Sequence, residues 1–398
     1  MVVAPGDRTM EFRDTTDEAT WRREIRDFLK TNLPGDIRGK GGLFARPQGS
    51  GPWETWRKAL AERGWLAPAW PKEYGGAGMG VMDQFILNEE FAKERAPQIG
   101  GLGVMMLGPT LIEHGTEEQK REHLPRILAG EESWCQGYSE PGAGSDLASL
   151  QTRAVRDGDD FVINGQKIWT SVAHFADYCF LLARTDPDAP KHRGITYFLV
   201  DMKSPGITVQ PLVNMTGSHD FNEVFFEDVR VPARNVVGEV DRGWYVGTTT
   251  LDFERSSIGT AVGNRQQIED YAGWLRENRR AVGEARYESL RTRWADRATE
   301  VQVATMLAYR VISMQAAGQI PNSEASVAKL FGSELSQRIA NTAMQMLGMQ
   351  GAVRQADAPF DGNVPESYLG GVSQTIAGGT SEIQRNIIAT RGLGLPRG

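Results

Sequence analysis

The chain has 398 residues, of which 40% are hydrophobic and 24% charged, and a formal net charge of −7. That length calls for two or three structural units, and the acidic balance excludes a protein built to hold nucleic acid. Two cysteines give no disulfide framework, five histidines stand without metal-ligand spacing, and no stretch reaches the roughly 20 apolar residues of a membrane span. Residues 1–10 lack the basic-then-apolar pattern of a secretory signal, so a cytoplasmic protein is expected.

Residues 1–129 read as helical. Thr15 with Glu18 forms a capping-box pattern, followed by Trp21, Ile25, Phe28 and Leu29 at helical spacing. Thr116 with Gln119 opens another helix, which carries Leu124 and Ile127 inward. Between them Gly75, Gly76, Gly78 and Gly80 resemble a phosphate loop, but no strand precedes them and a tight turn fits better.

Residues 130–241 change character. Short β-type runs recur at Phe161–Ile163, Tyr178–Ala183, Ile195–Val200, Ile207–Val213 and Glu223–Val231, separated by turn formers. This spacing predicts a small barrel or sandwich, not alternating βαβ units. Val162 to Trp169 reads as a hairpin about an Asn164-Gly165 turn. Helical periodicity returns over 242–398, in long segments such as Val301–Ala316 and Glu324–Leu347.

The segment Tyr138-Ser139-Glu140-Pro141-Gly142-Ala143-Gly144-Ser145-Asp146 carries a Pro-Gly-x-Gly turn, whose backbone N–H groups can approach a ligand with no Cβ in the way. It is not a Gly-x-Ser-x-Gly nucleophile elbow, and no histidine and acid follow in the matching order. Downstream, Gly165-Gln166-Lys167-Ile168-Trp169-Thr170-Ser171 sets a large ring beside hydroxyls, and Ile376-Ala377-Gly378-Gly379-Thr380-Ser381-Glu382-Ile383-Gln384-Arg385 supplies a third glycine-hydroxyl run. Glu254, Ile258 and Val262 stand at i, i+4 and i+8, which turns the carboxylate toward an apolar face. On spacing alone it is either a structural ion pair, with Arg255 or Arg265, or a functional group.

In this order and across nearly the whole chain, these segments resemble the acyl-CoA dehydrogenase family. Tyr74-Gly75-Gly76 and Asp228-Val229-Arg230-Val231-Pro232 extend the resemblance. It implies a mixed α and β fold with an N-terminal helical domain (1–129), a central β-barrel (130–241) and a C-terminal four-helix bundle (242–398). It further implies FAD as cofactor and α,β-dehydrogenation of an acyl-CoA thioester to the trans-2-enoyl-CoA, in fatty-acid or related catabolism. Electrons would leave to an electron-transfer flavoprotein or similar acceptor. Gln136, Tyr138, Ser139, Gly144 and Ser145 would line flavin or thioester, Trp169 would pack on the isoalloxazine, and Ser171 would sit near its N5. Thr380 and Glu382 fall at cofactor-contacting positions, although glutamine is common at the latter. Gln345, Met346, Gly348 and Gly351 resemble a turn that meets FAD from a neighbouring subunit.

Many family members carry the catalytic glutamate in a Tyr-Glu-Gly-Thr segment, which here reads Ala377-Gly378-Gly379-Thr380. A subset carries it on a bundle helix, in a pattern ending Glu-Arg, and Leu251-Asp252-Phe253-Glu254-Arg255 matches that location. The resemblance therefore makes Glu254 the base, with Asp252 the next candidate. Ser145, Asp252, Arg255, Gly378 and Gly379 fall on the substrate side, and the Gly378 N–H would polarise the thioester carbonyl. One departure concerns an Arg-x-x-Phe-Gly stretch followed by a glutamine that holds FAD across subunits. Here it reads Arg279-Arg280-Ala281-Val282-Gly283, with Leu290 in the glutamine's place. Arg279 can still reach pyrophosphate, and a homotetramer is expected ahead of a heterotetramer with a related chain. A flavin monooxygenase or oxidase on the same fold, and a non-catalytic partner subunit, are the competing readings; Glu254 argues against both. The small residues and methionines of Gly100–Gly108 border the acyl chain in the family and suit a branched or ring-bearing group.

Overall fold

In the computed structural model both capping boxes close as their spacing predicts. Thr15 Oγ1 accepts from the Glu18 N–H at 3.2 Å while Glu18 Oε2 accepts from the Thr15 N–H at 2.7 Å. Thr116 and Gln119 repeat the exchange at 3.2 and 3.0 Å. The structure describes residues 14–40, 51–254 and 258–396, without the side chains of 252–261.

The first helices are α1 (Thr16–Asn32), α2 (Pro52–Glu62), α3 (Val81–Lys93), α4 (Gly108–His114) and α5 (Glu117–Ala129). The strands follow: β1 (Trp134–Gly137), β2 (Arg153–Asp157), β3 (Asp160–Lys167), β4 (Tyr178–Arg184), β5 (Ile195–Asp201), β6 (Ile207–Leu212), β7 (Phe221–Pro232) and β8 (Val236–Val237). Helices resume with α6 (Gly243–Glu254), α7 (Ile258–Glu277), α8 (Arg279–Val282), α9 (Glu284–Ala316), α10 (Asn322–Leu347), α11 (Val364–Gln374) and α12 (Ser381–Ile387). The expected order of helical, β and helical segments is the order observed.

Two compact units divide the chain. One comprises residues 40–78 and 97–256 and contains the sheet, ordered β6-β7-β3-β2-β4-β5-β8, with β1 added in parallel to β4. Cys179, Leu181 and Ala183 of β4 enter a core with Phe161, Phe198, Val224 and Phe226, while Phe180 and Leu182 face a second core with Trp70, Leu111, Leu124 and Val246. Both faces are covered, so β4 reads as an unbroken apolar run instead of alternating. The Phe161 and Phe198 rings meet edge to face at 5.1 Å although two strands separate β3 from β5, which shows the sheet folding over a shared interior.

The Asn164-Gly165 hairpin is not formed. Both residues lie inside β3, and the turn that joins β2 to β3 is Asp157-Gly158-Asp159-Asp160. Gly165 instead marks a register shift against β7, and a Cβ there would stand 2.5 Å from Thr152 Oγ1. Close approach of two strands, not a reversal of the chain, requires this glycine.

The other unit takes residues up to 39, 79–96 and from 257 onward. Ile268, Tyr271, Leu290, Trp294, Leu335, Ile339 and Met346 form its core. At its α1–α3 contact Glu90, almost fully buried, receives Arg22, Arg26 and Lys93 at 2.6, 2.6 and 2.9 Å. Burial works against that charge, but Arg26, Lys93 and Arg22 hold the Glu90 carboxyl down at about 2.

Candidate active site

The loop after β1 is locked before it reaches the surface. Glu140 and Ala143 exchange backbone hydrogen bonds at 2.9 and 3.0 Å, closing the Pro-Gly turn. The Glu140 carboxylate turns inward and accepts from the Gln151 N–H at 2.6 Å, the Thr152 N–H at 2.8 Å and Lys167 Nζ at 2.8 Å. Lys167 is fully buried and also donates to the Tyr138 carbonyl at 2.9 Å. Burial disfavours the Glu140 charge, yet Lys167 and the backbone donors keep its carboxyl below the usual range; at Lys167 burial prevails and lowers the ammonium.

The same pair joins that loop to the segment after β3. The Ile168 N–H donates to the Ser139 carbonyl at 2.9 Å, and Thr170 exchanges backbone bonds with Asn222 at 3.0 and 3.1 Å. Between these anchors Trp169 takes a left-handed φ of 59° and leaves its indole 56% exposed, edge to face with Phe221 at 6.0 Å. A bulky residue in that conformation costs free energy, and a half-exposed indole recovers only part of it by burial.

Ser139 and Trp169 are thereby brought into adjoining segments of the sheet-bearing unit, which also holds Gln136, Tyr138, Gly144, Ser145 and Ser171. The Gln136 Nε2 and Thr170 Oγ1 atoms are buried without a hydrogen-bond partner among the described residues. Gly142 and Gly144 have open space where a Cβ would stand. An exposed aromatic face, an amide, a hydroxyl and an open glycine turn fit a flat, polar-edged ring system such as a flavin. Tyr138 differs from its neighbours: its ring is 4% exposed and packs edge to face on Phe180 and Tyr197, so only its backbone faces the loop.

Helix α6 lies in the same unit. Thr250 Oγ1 meets Thr110 Oγ1 at 2.9 Å and Thr249 Oγ1 meets His114 Nε2 at 2.9 Å, which ties α6 to α4 one turn before its last residue, Glu254. The side chains of Asp252 and Glu254, and all of Arg255, lie outside the described residues.

Two further groups belong to the helical unit. Thr380 caps α12, accepting from the Ile383 N–H at 3.2 Å, and Glu382 lies exposed on the first turn. Its own backbone N–H and the Thr380 hydroxyl hold the Glu382 carboxyl below the usual range. Gly378 and Gly379 precede this cap at φ 62° and 88°. At the end of α10, Gln345 is exposed, Met346 is buried with Sδ accepting from Trp294 Nε1 at 3.3 Å, and Gly348 turns at φ 60°. Arg286, which the sequence reading passed over, donates to the Gln345 and Met346 carbonyls at 3.0 and 3.4 Å, and Arg293 donates to Gln345 Oε1. Their seven-residue spacing on α9 was the available signal. Arg279 pairs with Glu284, Nε to Oε2 at 3.0 Å, and lies 4.6 Å from the Tyr287 ring centroid. Leu290 is buried in the core. Among the described residues no group of three or more His, Cys, Asp or Glu side chains is set to hold a metal, and no helix is long and apolar enough to cross a membrane.

Comparison with known proteins agrees along nearly the whole chain. Models of the acyl-CoA dehydrogenase N-terminal, middle and C-terminal domains match residues 15–131, 135–229 and 241–393. Acyl-CoA dehydrogenase IpdE1 of Mycobacterium tuberculosis is 39% identical over 387 residues, covering 96% of this chain and 98% of that one. The chain belongs to the acyl-CoA dehydrogenase family. This is a family of flavoprotein oxidoreductases. Among solved structures, the "Tcur3481-Tcur3483 steroid ACAD" matches with a TM-score of 0.86 at 36% identity, covering 98% of this chain and 100% of that one. The ChsE4-ChsE5 complex from Mycobacterium tuberculosis matches with a TM-score of 0.81 at 36% identity and the same coverage.

Proposed function

We propose that this acyl-CoA dehydrogenase binds FAD and desaturates a ring-bearing acyl-CoA at Cα–Cβ, giving the trans-2-enoyl-CoA. The observations that carry the cofactor reading are exposed Trp169, the buried Gln136 Nε2 and Thr170 Oγ1 atoms that lack a partner among the described residues, and open Gly142 and Gly144. Ser139, Ser145 and Ser171 add hydroxyls from the same unit, and the family resemblance assigns Thr380, Glu382, Gln345 and Gly348 to FAD as well. When bound, FAD supplies the acceptor for the β-hydride. The chain's own part is proton removal and carbonyl polarisation: Glu254 takes the α-proton, and the Gly378 N–H donates to the thioester oxygen. Gly378 has the left-handed φ that favours glycine, which agrees with the acid being sited elsewhere.

The ring-bearing substrate rests on the segment Gly100–Gly108. Its five residues Gly103–Leu107 form a π-turn, an irregularity that recurs at functional sites, and Met105 is 41% exposed there. The similarity to a steroid acyl-CoA dehydrogenase points the same way. Anaerobic addition of acyl-CoAs to the flavin-loaded protein tests the whole reading: a polycyclic acyl-CoA should bleach the flavin faster than straight-chain ones. Glu254→Gln should keep flavin and lose about 10² to 10⁴ in rate. A flavin that no acyl-CoA bleaches would overturn dehydrogenation, and near-normal bleaching in the variant would move the base to another residue.

A second reading concerns assembly. Arg279 is already engaged by Glu284 and Tyr287, and Leu290 lies in the core. The two-protein ChsE4-ChsE5 complex offers a precedent. We therefore hold a two-plus-two assembly with a related chain beside the homotetramer, with an electron-transfer flavoprotein or similar protein as acceptor.

A further inference from the structure

The glycine cluster that opens with Gly75 and Gly76 has no part in the chemistry proposed above, and what it grips is Trp70. A Cβ on Gly76 would stand 2.1 Å from the Trp70 carbonyl oxygen, and the Gly78 N–H donates to that same oxygen at 2.9 Å. The indole, 2% exposed, runs inward to the π-turn Gly103–Leu107, where its Nε1 donates to the Val104 carbonyl at 3.2 Å. In a regular helix that carbonyl would accept from the Gly108 N–H, four residues on, but this N–H goes to the Gly103 carbonyl instead. The next amide in the wide register, five residues on, belongs to Pro109, which has no N–H to give. The carbonyl of buried Val104 is thus deprived of both backbone partners, and Trp70 supplies the donor. Gly108 makes room for the ring: a Cβ there would stand 1.8 Å from Trp70 Cζ2.

We infer that Trp70 is a positioning residue that sets substrate specificity: its indole N–H replaces the one Pro109 lacks, and so holds the π-turn that presents Met105 to the acyl group. This rests on the reading of Gly100–Gly108 as the border of the acyl chain. Gly103, Val104, Met106 and Leu107 are buried, and Met105 alone of the five is turned outward, 41% exposed. A buried carbonyl left unpaired costs free energy, so without the indole the turn gains by closing to the α register, in which the Gly108 N–H serves Val104. A register change of one residue turns side chains by about 100° around the helix axis, enough to exchange Met105 for a buried neighbour. At the other end Thr110 Oγ1 donates to the Met106 carbonyl at 2.8 Å, which ties the turn to α4. Trp70 itself stays in the core and acts on the substrate only through the turn.

The test compares the FAD-loaded wild type with Trp70→Phe, which keeps a ring in the core and deletes the donor. The variant should keep its flavin, show faster amide exchange in peptides covering residues 100–108, and lower the ratio of polycyclic to straight-chain kcat/KM by about tenfold. A general loss of stability would lower both substrates alike and leave that ratio in place. Gly108→Ala reaches the same turn with the donor intact, because its methyl displaces the ring, and should move exchange and ratio the same way; should Trp70→Phe not fold, this variant decides by the same two readouts. Met105→Ala, at an exposed position, tests the underlying reading and should lower the ratio as well. A ratio that falls with Met105→Ala but survives Trp70→Phe and Gly108→Ala overturns the role of Trp70 alone, as does a fall without faster exchange. A ratio unmoved by Met105→Ala overturns the reading of Gly100–Gly108 as the acyl border, and the role of Trp70 with it.

Discussion

Lys167 and Glu140 each lie within a motif quoted for other residues, and together they fix the geometry of both motifs. Each is buried, and each satisfies the other: the ammonium has a carboxylate and a carbonyl, and the carboxylate has two backbone N–H groups besides. Replacing both with apolar residues of similar volume removes two desolvation costs at once, whereas replacing one strands a charge in the interior. Lys167→Met should therefore cost about 3–5 kcal/mol in urea unfolding and release FAD, while Lys167→Met with Glu140→Leu should recover much of the stability. A loss below about 1 kcal/mol for the single variant would class the pair with exposed ones and remove its role. The sequence singled out neither residue, for a physical reason. A lysine two positions after an Asn-Gly pair reads as solvent-facing, and only the packing of the loop over β3 covers it. Trp169 stands out in the sequence as a large aromatic beside two hydroxyls, and the structure leaves its indole half exposed and not in the core. The buried ring of Tyr138 was not legible, since a loop motif does not say which side chain turns into the core.

At the scale of elements, α1 and α5 announce themselves through Thr-x-x-Glu and Thr-x-x-Gln boxes. Helix α3 opens at Gly80 with no side-chain cap and passes unnoticed. What secures α3 is also hidden in the sequence: Glu90 faces Arg22 and Arg26, more than sixty positions earlier, across the α1–α3 contact. Its folded value of about 2 lies below the ordinary 4.5 of the unfolded chain. The stabilisation is complete above about 4.5 and is lost progressively as pH falls toward about 2, where the folded carboxylate also protonates. Urea denaturation of wild type should thus weaken through this acid window, and Glu90→Gln should be less stable at neutral pH and flatter across it. Equal acid sensitivity in the variant would assign the transition to other carboxylates. The same separation explains α9. Its first half is rich in charges, and Tyr287, Leu290 and Trp294 appear at helical spacing only once the exposed arginines between them are discounted.

For the whole molecule, the order of helical, β and helical regions was legible because the period of the apolar pattern changes twice along the chain. Assembly was legible only as a defect in a motif, and the structure gives that defect a form. Arg279 turns to Glu284 and stacks on Tyr287, so its charge is satisfied inside its own chain. The position of the expected glutamine is filled by Leu290, which contributes to the bundle core and offers no hydrogen bond. Arg286 and Arg293 gather at Gln345 instead, at the turn through which a neighbouring subunit's cofactor would be met. If these arginines replace the lost contacts, identical chains complete every site and the protein alone should take up about one FAD per chain as a tetramer. If they do not, only a related chain restores them, and the assembly should hold about half that flavin while this chain expressed alone is poorly soluble. Flavin titration alongside mass measurement in solution separates the two. Arg286→Ala sharpens the result, because the variant should lose flavin from every site in the homotetramer, where every site depends on it. A stable, flavin-loaded monomer would exclude both assemblies, since neither arrangement of the Gln345–Gly348 turn would then be serving a second subunit.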